Sequence, residues 1–345
     1  MNKIIFISYG EPMASSRYRA EQYYYKMNNN SSKDFFVEYY TIYPKNIKSF
    51  FSLPLMFLKK IFSLYKCIKF DIVFLQRNPV NFLSPFYEMF IKYILRKKII
   101  FDFDDSLWVL KGKYDKRVER IISLSDLVIV GNKFLYDYAI KFNNNVHILN
   151  TVIDTKKCNS KNRLKNEKIG NRLGICWIGS KSTTDNLNML EPVFVKIKEK
   201  YGGKLDIFIV SDERPGFEFF NEYNYIKWSK ETEHSILLKS DIGIMPLADS
   251  IINKGKCGFK LIQYGAYELA SIATPIGINK EIIREGVNGF LVSSEQGWIY
   301  KLSYLIDNPF VLNKMKIKSR KIIEDHYSLD IVFDRFLALI ALLLN

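Results

Sequence analysis

Short apolar runs rich in β-branched residues alternate with longer amphipathic stretches along almost the whole chain. Apolar runs that alternate with helical periodicity predict parallel β-sheets whose faces are covered by α-helices. The predicted strands cover 3–8, 35–41, 71–75, 98–103, 126–130 and 146–149 in the first half, and 173–178, 205–210, 241–245, 271–274 and 289–292 in the second. The predicted helices cover 16–27, 84–96, 113–124, 132–142, 184–199, 231–239, 258–269, 279–285, 294–306, 310–325 and 329–344. The sequence therefore predicts an α/β fold with two doubly wound sheets.

A polar segment near the middle of the chain, residues 156–171, interrupts this alternation. It reads KKCNSKNRLKNEKIGN and has no apolar periodicity, which is typical of a linker. A chain of 345 residues is also long enough for two domains of ordinary size. We therefore expect an N-terminal Rossmann-like domain over 1–155 and a C-terminal one over 172–327. The final segment, 328–345, is predicted to be a helix that can pack back on the N-terminal domain.

The cysteines and histidines are scattered, and no CxxC pair or other metal-ligand spacing occurs. Isolated thiols of this kind are typical of a reducing compartment. The chain opens with the strand-like MNKIIFISYG, and no apolar run reaches the roughly 18 residues that a membrane-spanning helix needs. We expect a cytoplasmic protein without a metal site, a disulfide or a transmembrane helix. The residues concerned are Cys67, Cys158, Cys176, Cys257, His147, His234 and His326.

The chain is strongly basic, with a formal net charge of +15. Nucleic acid, an anionic membrane and a phosphorylated substrate are the partners that such a charge favours, but no nucleic-acid-recognition motif is present. Residues 44–70 carry six lysines and no acidic residue among many apolar ones. This pattern predicts amphipathic helices that lie on an anionic membrane surface. The alternative is a core helix with a solvated basic face.

The segment 240–292 carries the strongest functional pattern. A predicted strand ends at Pro246, a loop with Lys254 and Lys256 follows, and a predicted helix starts near Gly258. The free N–H groups and positive dipole of a helix N-terminus favour anions, and lysines beside it add charge. The loop and helix therefore predict a diphosphate site, with a solvated basic loop as the alternative.

This segment resembles the donor-binding core of the family-4 glycosyltransferases, within the GT-B superfamily. The motifs DIGIMPL, KGKCGFKLIQY, PIGINKEII and NGFLV occur in the family's order and spacing. The resemblance extends to FDFDDSLW, WIGS and HYSLD elsewhere in the chain. It implies a GT-B architecture, in which two Rossmann-like domains face an interdomain cleft. It also implies sugar transfer from a nucleotide-diphosphate sugar, without a metal ion or other cofactor.

The resemblance also assigns positions within the donor loop. The family has two glutamates in this loop. Gly255 stands at the position of the first, which touches the donor sugar, and Gln263 stands at the position of the second, which holds the nucleotide ribose. Lys256 and Lys260 are expected to face the diphosphate, together with Gly258. Two further departures follow the helix, because Glu268 and Ala270 occupy positions where the family has glycine and proline. These departures imply either a local rearrangement or a weakened enzyme.

Two other loops of the second half are expected to bind the donor. In IGINK the resemblance places Gly277 and Asn279 near the donor sugar or phosphate, whereas an ordinary turn is the alternative. In WIGSKS the candidates are Gly179, Ser180 and Lys181. The family has an arginine at the position of Ser180, and Lys181 is expected to replace that charge.

Three aspartates close a predicted strand in the first half. If the strand continues, Asp102 and Asp104 share one side and Asp105 faces the other. An Asp102–Asp104 pair resembles the metal-binding DxD motif of the unrelated GT-A enzymes. The GT-B resemblance instead makes Asp104 and Asp105 candidate catalytic residues near the acceptor hydroxyl or the donor sugar, and Lys260 is the third catalytic candidate. Helix capping is the structural alternative.

Three arginines are candidates for the acceptor side. Arg17 and Arg19 follow the first predicted strand, and Arg77 follows the strand that contains DIVFLQ. Arg17 and Arg19 suit an anionic acceptor or brace the domain interface, and a solvated first turn is the alternative. Arg77 is expected to face the mouth of the cleft.

The resemblance therefore implies a retaining glycosyltransferase of surface polysaccharide synthesis, and the basic, apolar stretch predicts that it is peripheral at the inner face of the membrane. Its expected partners are a nucleotide sugar, a glycan or lipid-linked acceptor and an anionic membrane, but not nucleic acid. The alternatives are a nucleotide-sugar epimerase on the same fold and a non-catalytic sugar-nucleotide- or glycan-binding protein.

Overall fold

The computed structural model describes residues 2–10, 13–29, 35–42, 52–77, 83–110, 112–158 and 172–344. The chain divides into two compact units. The first unit comprises Met1–Val152, Gly255–Cys257 and Val332–Asn345, and the second comprises Ile153–Lys254 and Gly258–Ile331. The sequence placed 255–257 in the C-terminal domain, whereas the structure places these residues in the first unit. The predicted linker lies mostly outside the described residues, which resume at residue 172.

The first unit is built on a six-stranded parallel sheet with the strand order β2-β1-β3-β4-β7-β8. Its strands are nearly continuous apolar runs, because both faces of a parallel sheet are covered by other elements. A separate antiparallel hairpin, β5–β6, precedes a helix. The strands are β1 (Asn2–Ser8), β2 (Phe35–Thr41), β3 (Ile72–Gln76), β4 (Lys98–Phe103), β5 (Val109–Leu110), β6 (Lys113–Tyr114), β7 (Leu127–Val130) and β8 (Val146–Ile148).

Helices cover this sheet, and two of them contain a π-helical turn. The predicted helix 113–124 is wrong at its start, because Lys113 and Tyr114 pair in the hairpin. The helix begins only at Arg117, whose backbone N–H donates to the Asp115 carboxylate. The helices are α1 (Ala14–Ser16), which continues through a π turn (Arg17–Glu21) into α2 (Gln22–Asn29), then α3 (Ser52–Cys67), α4 (Phe86–Met89) with its π turn (Phe90–Ile94), α5 (Arg117–Leu124) and α6 (Lys133–Ala139).

The second unit has its own six-stranded parallel sheet, with the order β11-β10-β9-β12-β13-β14. The strand order reverses between β9 and β12, and ligands of such sheets bind outside the carboxyl ends of the strands at that point. The edge strand β11 was not predicted, because its four residues are only partly buried and lack a clear apolar run. The strands are β9 (Leu173–Ile178), β10 (Leu205–Ser211), β11 (Asn224–Lys227), β12 (Ile242–Met245), β13 (Ala270–Ala273) and β14 (Gly289–Leu291).

The helices of the second unit follow the predicted positions, except that one predicted helix is divided and a short helix, Ile251–Lys254, lies in a segment predicted as a loop. The single helix predicted over 184–199 is two helices, because Pro192 lacks a backbone N–H and sits in the first turn of the second one. The helices are α7 (Thr184–Asn188), α8 (Glu191–Tyr201), α9 (Lys230–Lys239), α10 (Ile251–Lys254), α11 (Phe259–Ala266), α12 (Asn279–Ile282), α13 (Glu295–Asp307) and α14 (Pro309–His326), with short 3₁₀ turns at Lys181–Thr183 and Gly202–Lys204.

The last helix, α15 (Leu329–Leu342), contributes to the core of the first unit from Val332 onward. Phe336 is fully buried, and its ring centroid lies 4.3 Å from that of Tyr23 and 5.9 Å from that of Phe74. Aromatic pairs at such distances stabilise a core beyond the area that they bury. Within the described part of the chain, every helix is too short or too polar to cross a bilayer.

Candidate functional site

A buried ion pair lies at the carboxyl end of β4 in the first unit. The guanidinium of Arg19 donates to both carboxylate oxygens of Asp102, with an Nε–Oδ1 distance of 3.0 Å, and also to the backbone oxygen of Leu149. Arg19 is 1% exposed. The side chain therefore holds the first helix against the sheet, and an acceptor in solvent does not reach it. This burial corrects the prediction that Arg19 contacts the acceptor.

Asp104 and Asp105 lie just beyond β4, which ends at Phe103. Because the strand has ended, the two carboxylates do not alternate between faces, and both bind Arg77. The distance from Arg77 Nε to Asp104 Oδ1 is 3.0 Å, and a second ion pair joins Arg77 to Asp105. The structure therefore brings together two candidate catalytic residues and one acceptor-side candidate.

Arg77 has a left-handed backbone, with φ at +54°. A residue with a side chain pays a steric penalty in this region, and such residues cluster at functional sites. Its backbone N–H donates to the carbonyl of Asp102 at 2.7 Å, which fixes the turn that directs the guanidinium to the two aspartates.

The two aspartates of the DxD pattern bind different arginines. Asp102 binds Arg19, whereas Asp104 binds Arg77. Among the residues that the structure describes, no group of three His, Cys, Asp or Glu side chains could hold a metal ion. The metal independence implied by the GT-B resemblance stays a prediction.

The segment Gly255–Cys257 is attached to the first unit by Asn132. The side-chain nitrogen of Asn132 donates to the carbonyls of Gly255 and Lys256, each at 3.0 Å, while its oxygen caps α6. Cys257 Sγ donates to the carbonyl of Asp104 at 3.1 Å. Sequence reasoning missed Asn132, although asparagine directly before a helical pattern is a recognisable cap.

Lys256 lies within electrostatic range of the aspartate–arginine cluster. Burial lowers the pKa of Lys256, Arg77 lowers it further, and Asp104 raises it. Lys256 was predicted to bind the donor phosphates, yet it belongs to the first unit together with the candidate catalytic carboxylates.

Gly255, which replaces a family glutamate, is tightly enclosed. A Cβ atom at this position would lie 2.1 Å from the Ser106 hydroxyl and 2.8 Å from its backbone nitrogen. No side chain fits there unless residue 106 shifts. The glycine at position 255, where the family has glutamate, therefore allows the backbones of residues 255 and 106 to approach closely within the first unit.

Gln76 is a further polar residue at the carboxyl end of β3. Its amide oxygen accepts from Ser16 Oγ at 3.1 Å, and Ser16 in turn accepts from the backbone of Gly10. Gln76 is fully buried, and its amide nitrogen has no partner within the described part of the chain. Arg17 is half-buried, with its guanidinium 5.3 Å from the centroid of the Tyr18 ring.

In the second unit, the loop after β9 contains three candidate donor-binding residues. A Cβ at Gly179 would lie 2.2 Å from the Trp177 ring, so this position requires glycine. Ser180 is exposed and hydrogen-bonds Ser182 at 2.8 Å. Lys181 is 68% exposed, and its ammonium lies 2.7 Å from the Glu213 carboxylate. The backbone N–H groups of Gly179, Ser180 and Lys181 already donate within the second unit, and the Lys181 ammonium is paired with Glu213 at the surface.

Lys260 stands on α11 beside that loop. Gly258 precedes the helix in a left-handed conformation, with φ at +64°. Lys260 is the second residue of the helix, and its ammonium lies 5.0 Å from the centroid of the Trp177 ring. The structure therefore brings together the cation of Lys260, the start of α11 and the carboxyl end of β9.

Gln263 is buried one turn further along α11. Its amide nitrogen donates to Glu233 at 2.7 Å, and the other oxygen of Glu233 accepts from the Trp228 indole at 2.6 Å. Both Gln263 and Glu233 are largely inaccessible to solvent. In this conformation Gln263 satisfies an internal carboxylate, and its contact with a ribose stays a prediction.

The loop after β13 contains Gly277 and Asn279. Gly277 has φ at +53°, and a Cβ there would lie 2.7 Å from the carbonyl of Lys254. Asn279 is buried, and its side chain donates to the Thr274 carbonyl at 3.0 Å. Its amide oxygen has no partner within the described residues. Both residues support the loop, and their contact with the donor stays a prediction.

Glu268 keeps the backbone conformation that the family gives to a glycine. Its φ is +58°, and its N–H donates to the Gly265 carbonyl at 3.0 Å. A left-handed residue of this kind commonly ends a helix. The turn is therefore retained with a strained residue, and Ala270 opens β13 directly after it.

Comparisons with known proteins agree with this architecture. Residues 172–308 match the family model described as "Glycosyl transferases group 1". No protein with a curated function matches the chain's sequence.

Three solved structures illustrate the similarity of fold. Sucrose-phosphate synthase from Thermosynechococcus elongatus has a TM-score of 0.74 at 11% identity, with 100% of this chain and 99% of that chain covered. A glycosyltransferase from Rickettsia africae has a TM-score of 0.71 at 14% identity, with 98% and 97% covered. HepE from Anabaena in complex with UDP has a TM-score of 0.68 at 12% identity, with 99% and 100% covered.

The fold, with its two six-stranded parallel sheets, is similar to these structures over almost its full length. The matched region 172–308 contains β9 to β14 and the loops that follow them. Residues 172–308 therefore form a group 1 glycosyltransferase domain, and the whole chain has the GT-B fold.

Proposed function

We propose that this protein is a glycosyltransferase that moves a sugar from a nucleoside diphosphate sugar to a glycan or lipid-linked glycan acceptor. The observation that carries this proposal is the position of Lys260. Its cation lies at the start of α11 and next to Trp177, at the carboxyl end of β9, where the strand order reverses. Cationic side chains and free helix N–H groups bind diphosphates at such points of a doubly wound sheet.

The second unit would act on the leaving group. As the bond between the sugar and the diphosphate breaks, negative charge grows on the phosphate oxygens. Lys260 and the first N–H groups of α11 stabilise that charge more strongly in the transition state than in the bound donor. This step uses no nucleophile from the protein, and the resemblance to family-4 enzymes supports retention of the anomeric configuration.

The first unit would orient the acceptor. Asp104 and Asp105 are held by Arg77 as a preorganised pair of hydrogen-bond acceptors, and Gln76 offers a buried amide donor nearby along the same sheet edge. A carboxylate that accepts the proton of the attacking hydroxyl has to lie within about 3 Å of it. Arg77 fixes the direction of the pair.

Uridine nucleotides are the first donors to test, because the similar HepE structures contain UDP, UDP with glucose, or UDP-glucose. The acceptor that we favour is a lipid-linked glycan of surface polysaccharide synthesis, reached from the cytoplasmic face by a peripheral enzyme. The basic, apolar helix α3 supports this choice of acceptor.

The test is a panel of uridine, guanosine, adenosine and thymidine diphosphate sugars, scored first by the rise in unfolding temperature. Selective stabilisation by one donor identifies the base and the sugar together, because only a bound ligand shifts the folding equilibrium. That donor is then incubated with polyprenyl-linked and free glycan acceptors, and the product is examined for transferred sugar and its anomeric configuration. Stabilisation by no donor in the panel would contradict the proposal.

One observation favours a second candidate, a non-catalytic sugar-nucleotide-binding protein. Gly255 leaves no space for the side chain that the family uses at this position. Donor binding without transfer to any acceptor would support this second candidate. A stereoisomer formed from donor alone would instead indicate an epimerase.

A further inference from the structure

The outward face of α3 is apolar. Met56, Lys60, Ser63 and Cys67 point into the first unit and are buried. The residues on the opposite side of the same helix are all large, apolar or aromatic, and exposed. A solvated helix carries polar residues on that side. These outward residues are Phe57, Leu58, Ile61, Phe62 and Tyr65.

The neighbouring helix α4 and its π turn repeat this arrangement. Tyr87, Glu88 and Ile91 are buried. Phe86 is 74% exposed and Ile94 is 65% exposed, although a phenylalanine and an isoleucine gain free energy by leaving water. The outward residues of this segment are Phe86, Phe90, Tyr93 and Ile94.

The two helices are joined on their inward sides. The hydroxyls of Ser63 and Tyr87 lie 2.7 Å apart, and the Lys60 ammonium lies 4.4 Å from the centroid of the Tyr87 ring. The outward residues of α3 and α4 therefore belong to one side of the first unit. We call these nine side chains the α3–α4 face. Exposed apolar surface of this extent marks an interaction site.

The segments that carry the α3–α4 face are basic, although Lys66 pairs with Glu38 and Lys92 pairs with Asp126. Residues 52–70 contain four lysines and no acid, and residues 83–98 contain a single acid, Glu88, which is buried. Lys69 and Arg96 are exposed. Lysine and arginine around an apolar surface suit a partner that is apolar inside and negatively charged at its surface.

We propose that the α3–α4 face docks this protein on an anionic lipid bilayer, with the aromatic side chains in the interfacial region and the basic residues against the phosphates. This inference rests on the proposed function only for the idea that the acceptor is lipid-linked. The sequence pattern pointed to residues 44–70, of which 44–51 lie outside the described residues, whereas the structure adds Phe86 of α4 and Phe90, Tyr93 and Ile94 of its π turn. It also removes Lys60 from the lipid-facing set, because that side chain is fully buried.

A second copy of the chain is a less suitable occupant. A twofold interface brings the same surface of each copy together. The basic residues around one α3–α4 face would then lie against those of the other, with no exposed acid in either segment to pair with them. Like charges at close range oppose association, whereas anionic lipid removes that repulsion.

The test is flotation of the full chain with vesicles of phosphatidylglycerol and phosphatidylcholine, compared with phosphatidylcholine alone. We expect binding to the anionic vesicles, reduced but not abolished by salt, because salt screens the charges and not the apolar contacts. The paired variant Phe86→Ser and Phe90→Ser should lower the partition coefficient at least about tenfold. The matched control is Phe310→Ser, which removes an 81% exposed phenylalanine from α14 of the second unit and should leave binding unchanged.

A second measurement reports contact directly. All four cysteines are buried, so a Phe86→Cys variant can be labelled selectively with an environment-sensitive fluorophore. Its emission should shift to the blue with anionic vesicles, whereas a label at Phe310→Cys should not respond. The inference is overturned if the chain ignores anionic vesicles at low salt. It is also overturned if the Phe86 and Phe90 substitutions instead dissociate a dimer detected by sedimentation. Neither result would affect donor stabilisation, so the proposed function is tested separately.

Discussion

Replacing Glu268 with glycine should stabilise the second unit. Glu268 has φ at +58°, and a left-handed conformation costs a residue with a side chain about 1–2 kcal/mol. Glycine removes that cost but loses about 0.5–1 kcal/mol through the greater freedom of the unfolded chain. The free energy of unfolding should therefore rise by about 0.5–1 kcal/mol in Glu268→Gly.

Urea unfolding followed by tryptophan fluorescence measures this change, because Trp177, Trp228 and Trp298 belong to the second unit. Glu268→Ala is the matched control, since it removes the same carboxylate but keeps the Cβ atom that causes the strain. It should show no gain in stability. Equal stability of the glycine and alanine variants would refute the argument from backbone strain. If Glu268→Gly transfers sugar at the wild-type rate, then the departure from the family pattern at this position affects only the turn and not catalysis.

Three further outcomes follow from the site. Lys260→Ala should raise the donor dissociation constant about tenfold or more by calorimetry without lowering stability, whereas Lys318→Ala, at an exposed position of α14, should have no effect. Chelators should leave the transfer rate unchanged, and activity that returns only with Mg²⁺ or Mn²⁺ would make Asp102 and Asp104 metal ligands. Gly255→Ala should destabilise the first unit by about 1–3 kcal/mol in urea unfolding, because its methyl group would lie 2.1 Å from Ser106 Oγ. Gly216→Ala, where a Cβ meets nothing within 4 Å, is its control.

The fold was largely predictable because it depends on local pattern. Nearly continuous apolar runs located β1, β4 and β9, since the central residues of a strand that is covered on both faces are buried and mostly apolar. The edge strand β11 lacks this constraint and was missed. Similarly, the hairpin residues Lys113 and Tyr114 are exposed, so their periodicity did not distinguish a strand from the start of a helix.

The site was less predictable because it depends on contacts between distant residues. A glycine-preceded helix with a lysine in its first turn was visible in the sequence, and Lys260 lies there. The hydrogen bonds from Asn132 to Gly255 and Lys256 join residues more than a hundred positions apart, and no local period encodes them. The inward direction of Gln263 likewise depends on Glu233, which lies on another helix.

The first unit is formed by segments that are far apart in the chain, and this affects how the protein folds during translation. Its core includes Phe336, which packs against Tyr23 and Phe74. Cys257 packs against Gly131 so closely that a Cβ atom on residue 131 would lie 2.0 Å from the sulfur. During synthesis, residues 1–152 therefore emerge long before the segments that complete their packing. The first unit cannot complete its core until residues 332–344 have been translated. Truncation within α15 should therefore leave the N-terminal residues 1–152 incompletely folded, rather than the second unit next to the truncation.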